Sequence, residues 1–357
     1  MRSVKTKAPG KLYIAGEYAV VEPGYSAIIT AIDLFVYVSL SKAASDIGSI
    51  FSKGYTETPV KWTRENNVAT VSNNKHQLDY VLSAIRVTEA YLAENDVTLV
   101  HHDLKIDSEL DHIGGHKYGL GSSGAVTVAT IHALLQFYNV EFSDLLIYKL
   151  SVLAQMDVGV NSSFGDLAAI IYGGWIQYTS FDRDYVKQLR KIRTVSETIE
   201  AYWSKLMIKK MRVSNKIDFL VGWTGSPASS DDLVGTVQEN KEQTTEQYEN
   251  FLEESQASVT LLAIGLEENN RFKIKDAVDR NRQALKQMGQ ETNVTIETPM
   301  LSKLCDIANK HGGAAKTSGA GGGDSGIAFV FRKDQANKII SDWAKADIEH
   351  LNLSIHK

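Results

Sequence analysis

The sequence predicts a protein of two domains, each of which contains both helices and strands. The chain has 357 residues, about twice the length of a typical domain of roughly 150 residues. Segments rich in β-branched and aromatic residues, such as 27–40, alternate with segments of helical periodicity, such as 78–94. Beyond residue 180 the sequence becomes more polar and more charged. We therefore expect a first domain at residues 1–180 and a second at residues 181–357.

Shorter patterns predict the remaining elements in order. Residues 99–106 are predicted to form a strand, and the almost entirely apolar stretch 125–137 predicts a buried helix. Residues 231–300 have the amphipathic pattern of helices, and we assign their many charges to the solvent-facing sides. Further strands are predicted at 219–223 and 327–331.

Composition and charge exclude several classes of function. The 38 basic and 43 acidic side chains give a net charge of −5, so a broad nucleic-acid surface is not expected. The single cysteine, Cys305, excludes an internal disulfide and fits a reducing compartment. No apolar run reaches the roughly 18 residues that a membrane span needs, and Glu17 and Glu22 interrupt the apolar stretch near the N-terminus. We expect a cytoplasmic monomer or homodimer without a nucleic-acid or membrane partner.

The segment 119–124, with the sequence Gly-Leu-Gly-Ser-Ser-Gly, predicts an anion site at the start of a helix. Unpaired backbone amides and the helix dipole favour a phosphate there, and glycines let the backbone approach it closely. A serine-capped glycine turn is the simplest alternative. The segment also matches the dinucleotide fingerprint of oxidoreductases, but the polar stretch before it is not a strand. A Walker loop is excluded because Ala125 and Val126 stand where lysine and a hydroxyl residue are required.

Two other glycine-bearing segments have features that suit phosphate chemistry. Residues 9–18 place Lys11 between a predicted glycine turn and an apolar strand, where a compact cation can face a transferring phosphoryl group. Residues 316–326 contain consecutive glycines before a strand, which indicates a backbone that passes close to a ligand or to another loop. A surface lysine and a flexible loop are the respective alternatives.

Taken together and in this order, the three segments resemble the three signature motifs of the GHMP kinase superfamily. Residues 9–17 are similar to its Pro-Gly-Lys opening that ends in Gly-Glu, residues 119–123 to its Gly-Leu-Gly-Ser-Ser phosphate loop, and residues 319–323 to its Gly-Ala-Gly-Gly-Gly loop. The resemblance spans about residues 5–331. It implies an α+β fold with an N-terminal domain like the second domain of ribosomal protein S5, a ferredoxin-like C-terminal domain, and an active site between them.

Within the superfamily, the sequences of these motifs are most similar to those of the bacterial phosphomevalonate kinases. Residues 218–224 and 318–326 match that group, and Tyr18 stands where mevalonate kinases usually have histidine. The resemblance implies transfer of the γ-phosphate of ATP to 5-phosphomevalonate in the mevalonate route to isoprenoids. The alternatives are a mevalonate kinase or another small-molecule kinase of the superfamily, a nicotinamide-dependent oxidoreductase, and a nucleotide sensor without catalytic activity.

The resemblance also implies roles for individual residues. Asp166 and Lys11 are the expected catalytic pair, and Ser123 is the expected ligand of Mg²⁺. The expected ATP-binding residues are Lys117, Gly119, Leu120, Gly121, Ser122, Ser123 and Gly124, and the expected acceptor-binding residues are Lys11, Tyr18, Ser163, Asp166, Ser318, Gly319 and Ala320. A second carboxylate ligand for Mg²⁺ is not evident, because Gln155 and Met156 stand near the matching place and Asp157 follows slightly later. The cation that binds the acceptor's phosphate and carboxylate is left open among Lys7, Lys117, Lys316 and Arg193.

Overall fold

The computed structural model describes residues 3–71, 78–110, 118–214, 217–226, 230–241 and 244–357. Within these ranges the chain forms two sheets with helices packed against them, so the predicted mixture of helices and strands is confirmed. None of the helices in the described ranges combines the length and apolar character that a bilayer crossing would require.

The larger sheet has eight strands in the order β5-β4-β3-β6-β2-β7-β8, with β1 paired to β2 off that path. All of its pairings are antiparallel except that of β3 with β6. The strands are β1 Ser3–Ala15, β2 Ser26–Lys42, β3 Gly48–Ser52, β4 Val60–Glu65, β5 Val68–Val71, β6 His102–Ser108, β7 Trp175–Thr179 and β8 Met207–Lys210.

Among the described residues up to Lys210 there are six α-helices. They are α1 Asp79–Glu94, α2 Ser122–Tyr138, α3 Asp144–Asp157, α4 Gly165–Tyr172, α5 Arg183–Ile192 and α6 Val195–Glu200. Helix α2 packs on β1 and β2, with α1, α3 and α4 around it. Its apolar side chains are buried in the main core, which agrees with the all-apolar pattern at 125–137. The helix that begins at the phosphate loop is therefore a rigid central element.

The smaller sheet has four strands in the order β10-β11-β9-β12, all antiparallel. Its elements are β9 Asp218–Trp223, α7 Ser230–Asn240, α8 Thr245–Glu267, α9 Arg271–Glu291, α10 Pro299–Lys310, β10 Ala314–Ser318, β11 Ser325–Val330, α11 Lys333–Ala344 and β12 Glu349–Leu351. The strands and helices follow the βαββαβ succession of a ferredoxin-like unit, with extra helices in the first crossover. The predicted ferredoxin-like second domain is confirmed.

The start of the first motif and the domain boundary differ from the simple sequence-based expectation or stay untested. The turn expected at Pro9 and Gly10 is wrong: both residues lie inside β1, where the pairing with β2 shifts register. The extra residues at this shift, Asp33 and Leu34, lie on β2, and β1 runs through Pro9 and Gly10 without interruption. Lys11 therefore lies within a strand rather than at its start. The domain division at residue 180 remains a proposal, and the pairing of β8 with β7 favours a boundary beyond Lys210.

Candidate active site

Three glycine-bearing segments that are far apart in the sequence meet at one cleft. The backbone amide of Lys11 donates to the carbonyl oxygen of Leu120 at 2.8 Å, which joins β1 to the phosphate loop. The hydroxyl of Ser318 donates to the carbonyl oxygen of Tyr13 at 2.8 Å, which joins the third segment to β1. The predicted convergence of the three motifs is therefore present in the structure.

The phosphate loop has the backbone geometry that its glycines allow. Gly119 and Gly121 have φ values of +72° and +88°, in the left-handed region that other residues adopt with strain. Gly121 is the N-cap of α2, so the first unpaired amides of this helix lie at residues 122–124. The helix dipole and these amides together make the loop an anion site.

Lys11 lies along this loop. Its ammonium donates to the carbonyl oxygen of Gly119 at 3.1 Å, and a Cβ on Gly121 would lie 3.0 Å from its Cε and Cγ atoms. Burial lowers the pKa of Lys11, while the carboxylates of Asp166, Asp324 and Glu17 oppose that change. The lysine is thus a cation in a confined, acid-lined position beside the anion site.

Asp166 lies near the helix end of the same loop. It lies in the first turn of α4, just after Phe164, the N-cap residue, which has a φ of +58°. A Cβ on Gly124 would lie 3.1 Å from its Oδ2 atom. The carboxylate of Asp166 is therefore close to the start of α2 and interacts electrostatically with Lys11.

Buried tyrosines hold the segment before Asp166. The hydroxyl of Tyr13 is 3.0 Å from that of Ser163, and the hydroxyl of Tyr178 donates to the Ser163 carbonyl oxygen and lies 2.9 Å from the hydroxyl of Tyr148. Gly165 is the residue that fits beneath them, since a Cβ there would lie 2.9 Å from the ring of Tyr178. Because the rings of Tyr148 and Tyr178 are buried, the position of Ser163 and Asp166 is set by the core.

The third segment closes the other side of the cleft. Gly319 has a φ of +75°, and the carbonyl oxygen of Ala320 accepts a 2.6 Å hydrogen bond from the hydroxyl of Tyr18. Ser318 is buried and bonded to β1. Thus the residues expected to bind the acceptor come from both domains and contact one another.

The sequence-based site list omitted three residues that the structure places near these groups. Asp324 follows the third glycine run, and a Cβ on Gly119 would lie 2.4 Å from its Oδ2 atom. Glu17 pairs with Lys316, and Arg183 donates to the carbonyl oxygen of Ser162 at 2.9 Å. Glu17 and Asp324 lie within two of the three sequence motifs, so they could have been selected as site residues from the sequence. No local sequence pattern indicated Arg183.

The remaining candidates for binding the substrates or a second metal ligand lie in different environments. Lys117 lies outside the described residues. Lys316 is fully buried against Glu17, so its ammonium is not presented to an acceptor. The ammonium of Lys7 lies 3.8 Å from the centre of the Phe35 ring. Arg193 follows α5 and is exposed. Asp157 pairs with Arg190 at 3.2 Å near the surface. No group of three or more metal-ligating side chains occurs in the described ranges.

Comparison with known proteins agrees with this geometry. A family model for the GHMP kinase N-terminal domain matches residues 79–174, and one for the GHMP kinase C-terminal domain matches residues 262–349. A phosphomevalonate kinase of Streptomyces sp. strain CL190 is 36% identical over 338 residues, covering 92% of this chain and 90% of that protein. The chain belongs to the GHMP kinase family.

Solved structures of this family show the same fold. The phosphomevalonate kinase of Streptococcus pneumoniae in complex with phosphomevalonate and AMPPNP superposes with a TM-score of 0.87 at 31% identity, covering 99% of this chain and 100% of that one. A protein from Listeria innocua superposes with a TM-score of 0.94 at 34% identity, covering 100% of this chain and 98% of that one. The predicted two-domain GHMP kinase fold is thereby confirmed.

Proposed function

We propose that the protein is a phosphomevalonate kinase, which transfers the γ-phosphate of ATP to 5-phosphomevalonate and releases ADP and 5-diphosphomevalonate. The observation that carries this proposal is the placement of Lys11 and Asp166 beside the phosphate loop, next to a segment of the second domain that is bonded to β1. The similarity to the Streptomyces and Streptococcus enzymes supports the choice of acceptor.

Phosphoryl transfer depends on positioning and on neutralising charge. The amides of residues 119–124 and the hydroxyls of Ser122 and Ser123 bind the ATP phosphates. Lys11 stabilises the charge that spreads over the transferring group, because its ammonium already lies beside the loop at Gly119. Tyr18, Ser163, Ser318, Gly319 and Ala320 line the acceptor side of the cleft.

The main role of Asp166 is to orient the attacking oxygen of the acceptor. Removal of a proton from that oxygen is a minor role. A phosphate monoester has its second pKa at about 6 and is therefore largely ionised near neutral pH. Such an oxygen is already nucleophilic, whereas an alcohol acceptor needs a base. The carboxylate contributes by keeping Lys11 charged and by fixing the approach of the acceptor.

Mg²⁺ fits this site as a partner of ATP. Magnesium is commonly held by substrate phosphates, water and only one or two protein ligands. Ser123 at the start of α2 and the carboxylate of Asp166 near Gly124 supply such a small set of oxygens. When bound, the ion would neutralise charge on the β- and γ-phosphates.

The nucleotide base has a cleft next to the phosphate loop. Its lining includes both apolar and aromatic side chains and reaches Ser122 and Ser123 at the start of α2. The other principal lining residues are Val36, Ser52, Tyr55, Tyr80, Ile106 and Val126. A purine ring suits this lining because it buries apolar area and stacks on aromatic rings.

A parallel assay tests the proposal. Purified protein with MgATP is given phosphomevalonate or mevalonate, and ADP release is followed by a coupled reaction. We expect turnover with phosphomevalonate and none above background with mevalonate, and loss of turnover when EDTA removes the metal. Turnover with mevalonate alone would assign the mevalonate kinase alternative. NADH binding without ATP binding would favour the oxidoreductase, and ATP binding without turnover of any acceptor would favour the sensor.

We also propose that the protein acts in the cytoplasm. Its single cysteine is buried in the second domain and forms no disulfide. A reducing compartment suits this composition. Cell fractionation of the native host with an antibody to the protein checks the location.

A further inference from the structure

A buried ion pair joins the two domains beneath the cleft. The ammonium of Lys316, in β10, lies 2.5 Å from Oε1 of Glu17, which follows the end of β1. The two side chains are 0% and 2% exposed, respectively. Neither residue has a role in the phosphoryl transfer proposed above, so the pair needs its own explanation.

The pair is costly to the fold. Removing two charges from water carries a large desolvation penalty, which mutual attraction offsets only when both groups are fully hydrogen-bonded. Lys316 makes a second bond to the Thr317 carbonyl oxygen at 2.6 Å, but Oε2 of Glu17 is buried without a hydrogen-bond partner within the described ranges. An apolar pair of similar volume would be expected to stabilise the domain interface at least as well.

The backbone of Tyr18, the residue after Glu17, is strained. Tyr18 has φ and ψ values of 61° and −53°, and the amide of Ala19 donates to the Glu17 carbonyl oxygen at 2.7 Å. These features define a γ-turn of the rare, strained kind, here with a bulky residue at its centre. Strain of this type persists where surrounding contacts over-determine the backbone, and it is common at functional sites.

Contacts with the second domain supply that over-determination. Three side-chain contacts connect the two segments: Ser318 with the Tyr13 carbonyl oxygen, Lys316 with Glu17, and Tyr18 with the Ala320 carbonyl oxygen. They run along residues 13–18 on one side and 316–320 on the other. The ion pair is the one of these three contacts that joins two charged groups.

We propose that Glu17 and Lys316 are a positioning pair, which holds the acceptor segment 318–320 of one domain at a set distance from Lys11 in the other. The proposal rests on the proposed function for its kinetic consequences. Neither residue touches a reacting atom. The pair acts by fixing the end of β1 and the start of the third glycine segment, which determine where the acceptor lies relative to the phosphate loop.

Three variants test the pair: Lys316→Met, Glu17→Gln and the double variant. Each single variant should raise the KM for phosphomevalonate by about tenfold to a hundredfold, the effect expected of a small displacement of a bound reactant. The KM for ATP should stay within about twofold, because the phosphate loop is a local structure on α2. The double variant leaves no unpaired buried charge, so its melting temperature should recover towards wild type while its acceptor KM stays raised.

Arg64→Met is the matched control. Arg64 forms a comparably buried ion pair with Glu89, with side-chain exposures of 12% and 2%, but both residues lie in the first domain, on β4 and α1. Its loss should lower the melting temperature without separating the two KM values. If the acceptor KM of the double variant returns to the wild-type value, or if both KM values rise by the same factor, the pair is only structural and the proposal is wrong.

Hydrogen exchange separates this proposal from the proposed function. In Lys316→Met, amide exchange should accelerate at residues 13–18 and 316–322 and stay unchanged at 119–124, whatever the acceptor. Exchange that is unchanged at all of these positions overturns the positioning pair. Failure of the wild-type protein to use phosphomevalonate overturns the function instead. If Lys316→Met does not fold, Glu17→Gln and the double variant carry the same comparison.

Discussion

The two sides of the cleft are built in different ways. The phosphate side consists of six consecutive residues and the helix that follows them, and its groups are backbone amides, two hydroxyls and glycines with positive φ. The acceptor side is assembled from the end of β1, the turn before α4 and the segment at the end of β10. Its contacts are a side-chain hydrogen bond within the first domain and two bonds across the domains from side-chain hydroxyls to backbone carbonyl oxygens.

This difference indicates how each side tolerates change. A local anion site depends on the backbone conformation of one segment, so a substitution there should affect ATP and leave the acceptor unaffected. An assembled site depends on packing between segments, so distant substitutions should affect the acceptor first. Lys11 and Asp166 lie where the two sides meet and should affect both.

The largest effect is expected at that junction. Asp166→Asn should lower kcat by about 10²-fold, the loss expected when a reacting group is displaced by about 1 Å from its productive position. Steady-state kinetics with both substrates measure the effect. Asp157→Asn is the control, since that carboxylate pairs with Arg190 near the surface and should leave kcat unchanged. An unchanged kcat in Asp166→Asn would remove this residue from the catalytic pair.

A substitution confined to the phosphate side should have a smaller and selective effect. Gly121→Ala forces a side chain into a left-handed conformation and against Lys11, so the KM for ATP should rise about tenfold, with a backbone strain of about 1–2 kcal/mol. The KM for the acceptor should change less than the KM for ATP, although the added Cβ also meets the side chain of Lys11, which lies where the two sides join. Gly159→Ala is the control, because Gly159 has a similar φ of +86° and open space around it.

A substitution confined to the acceptor side should show the reverse selectivity. Tyr18→Phe removes the donor to the Ala320 carbonyl oxygen, a loss of about 1 kcal/mol that corresponds to roughly fivefold in the acceptor KM. The KM for ATP should not change. Tyr202→Phe at the exposed Tyr202 provides the control. If Tyr18→Phe and Gly121→Ala change the same KM, the division into two sides is wrong.

The smallest effect concerns the pH dependence at the junction. Burial lowers the pKa of Lys11, and the protonated form is the active one, so kcat/KM should fall on the alkaline side as the ammonium loses its proton. Asp324→Asn removes one of the carboxylates that raise this pKa, so the alkaline decline should move to lower pH. Rate profiles from neutral to alkaline pH measure the shift. A decline that stays in place would mean that Lys11 does not titrate there, and Asp334→Asn on the surface should not move it.

Sequence patterns predicted much of the secondary structure because apolar periodicity reflects burial directly. The strand expected at 27–40 is β2 Ser26–Lys42, the helix expected at 78–94 is α1 Asp79–Glu94, and the strand expected at 219–223 is β9 Asp218–Trp223. The turn expected at Pro9 and Gly10 failed because both residues pair with β2 as part of a continuous strand. The irregularity beside them lies on β2, and such bulges have no periodic signal.

The sequence by itself determined the phosphate loop, since glycines, hydroxyls and the helix that follows them are contiguous and their physics is local. The sequences of the three motifs and their order along the chain also determined the family. Only the tertiary structure decided that Glu17 pairs with Lys316, that Asp324 faces Gly119 and that tyrosines hold Ser163. Those contacts join residues up to 299 positions apart, and such pairings depend on how sheets and helices pack, which no local pattern encodes.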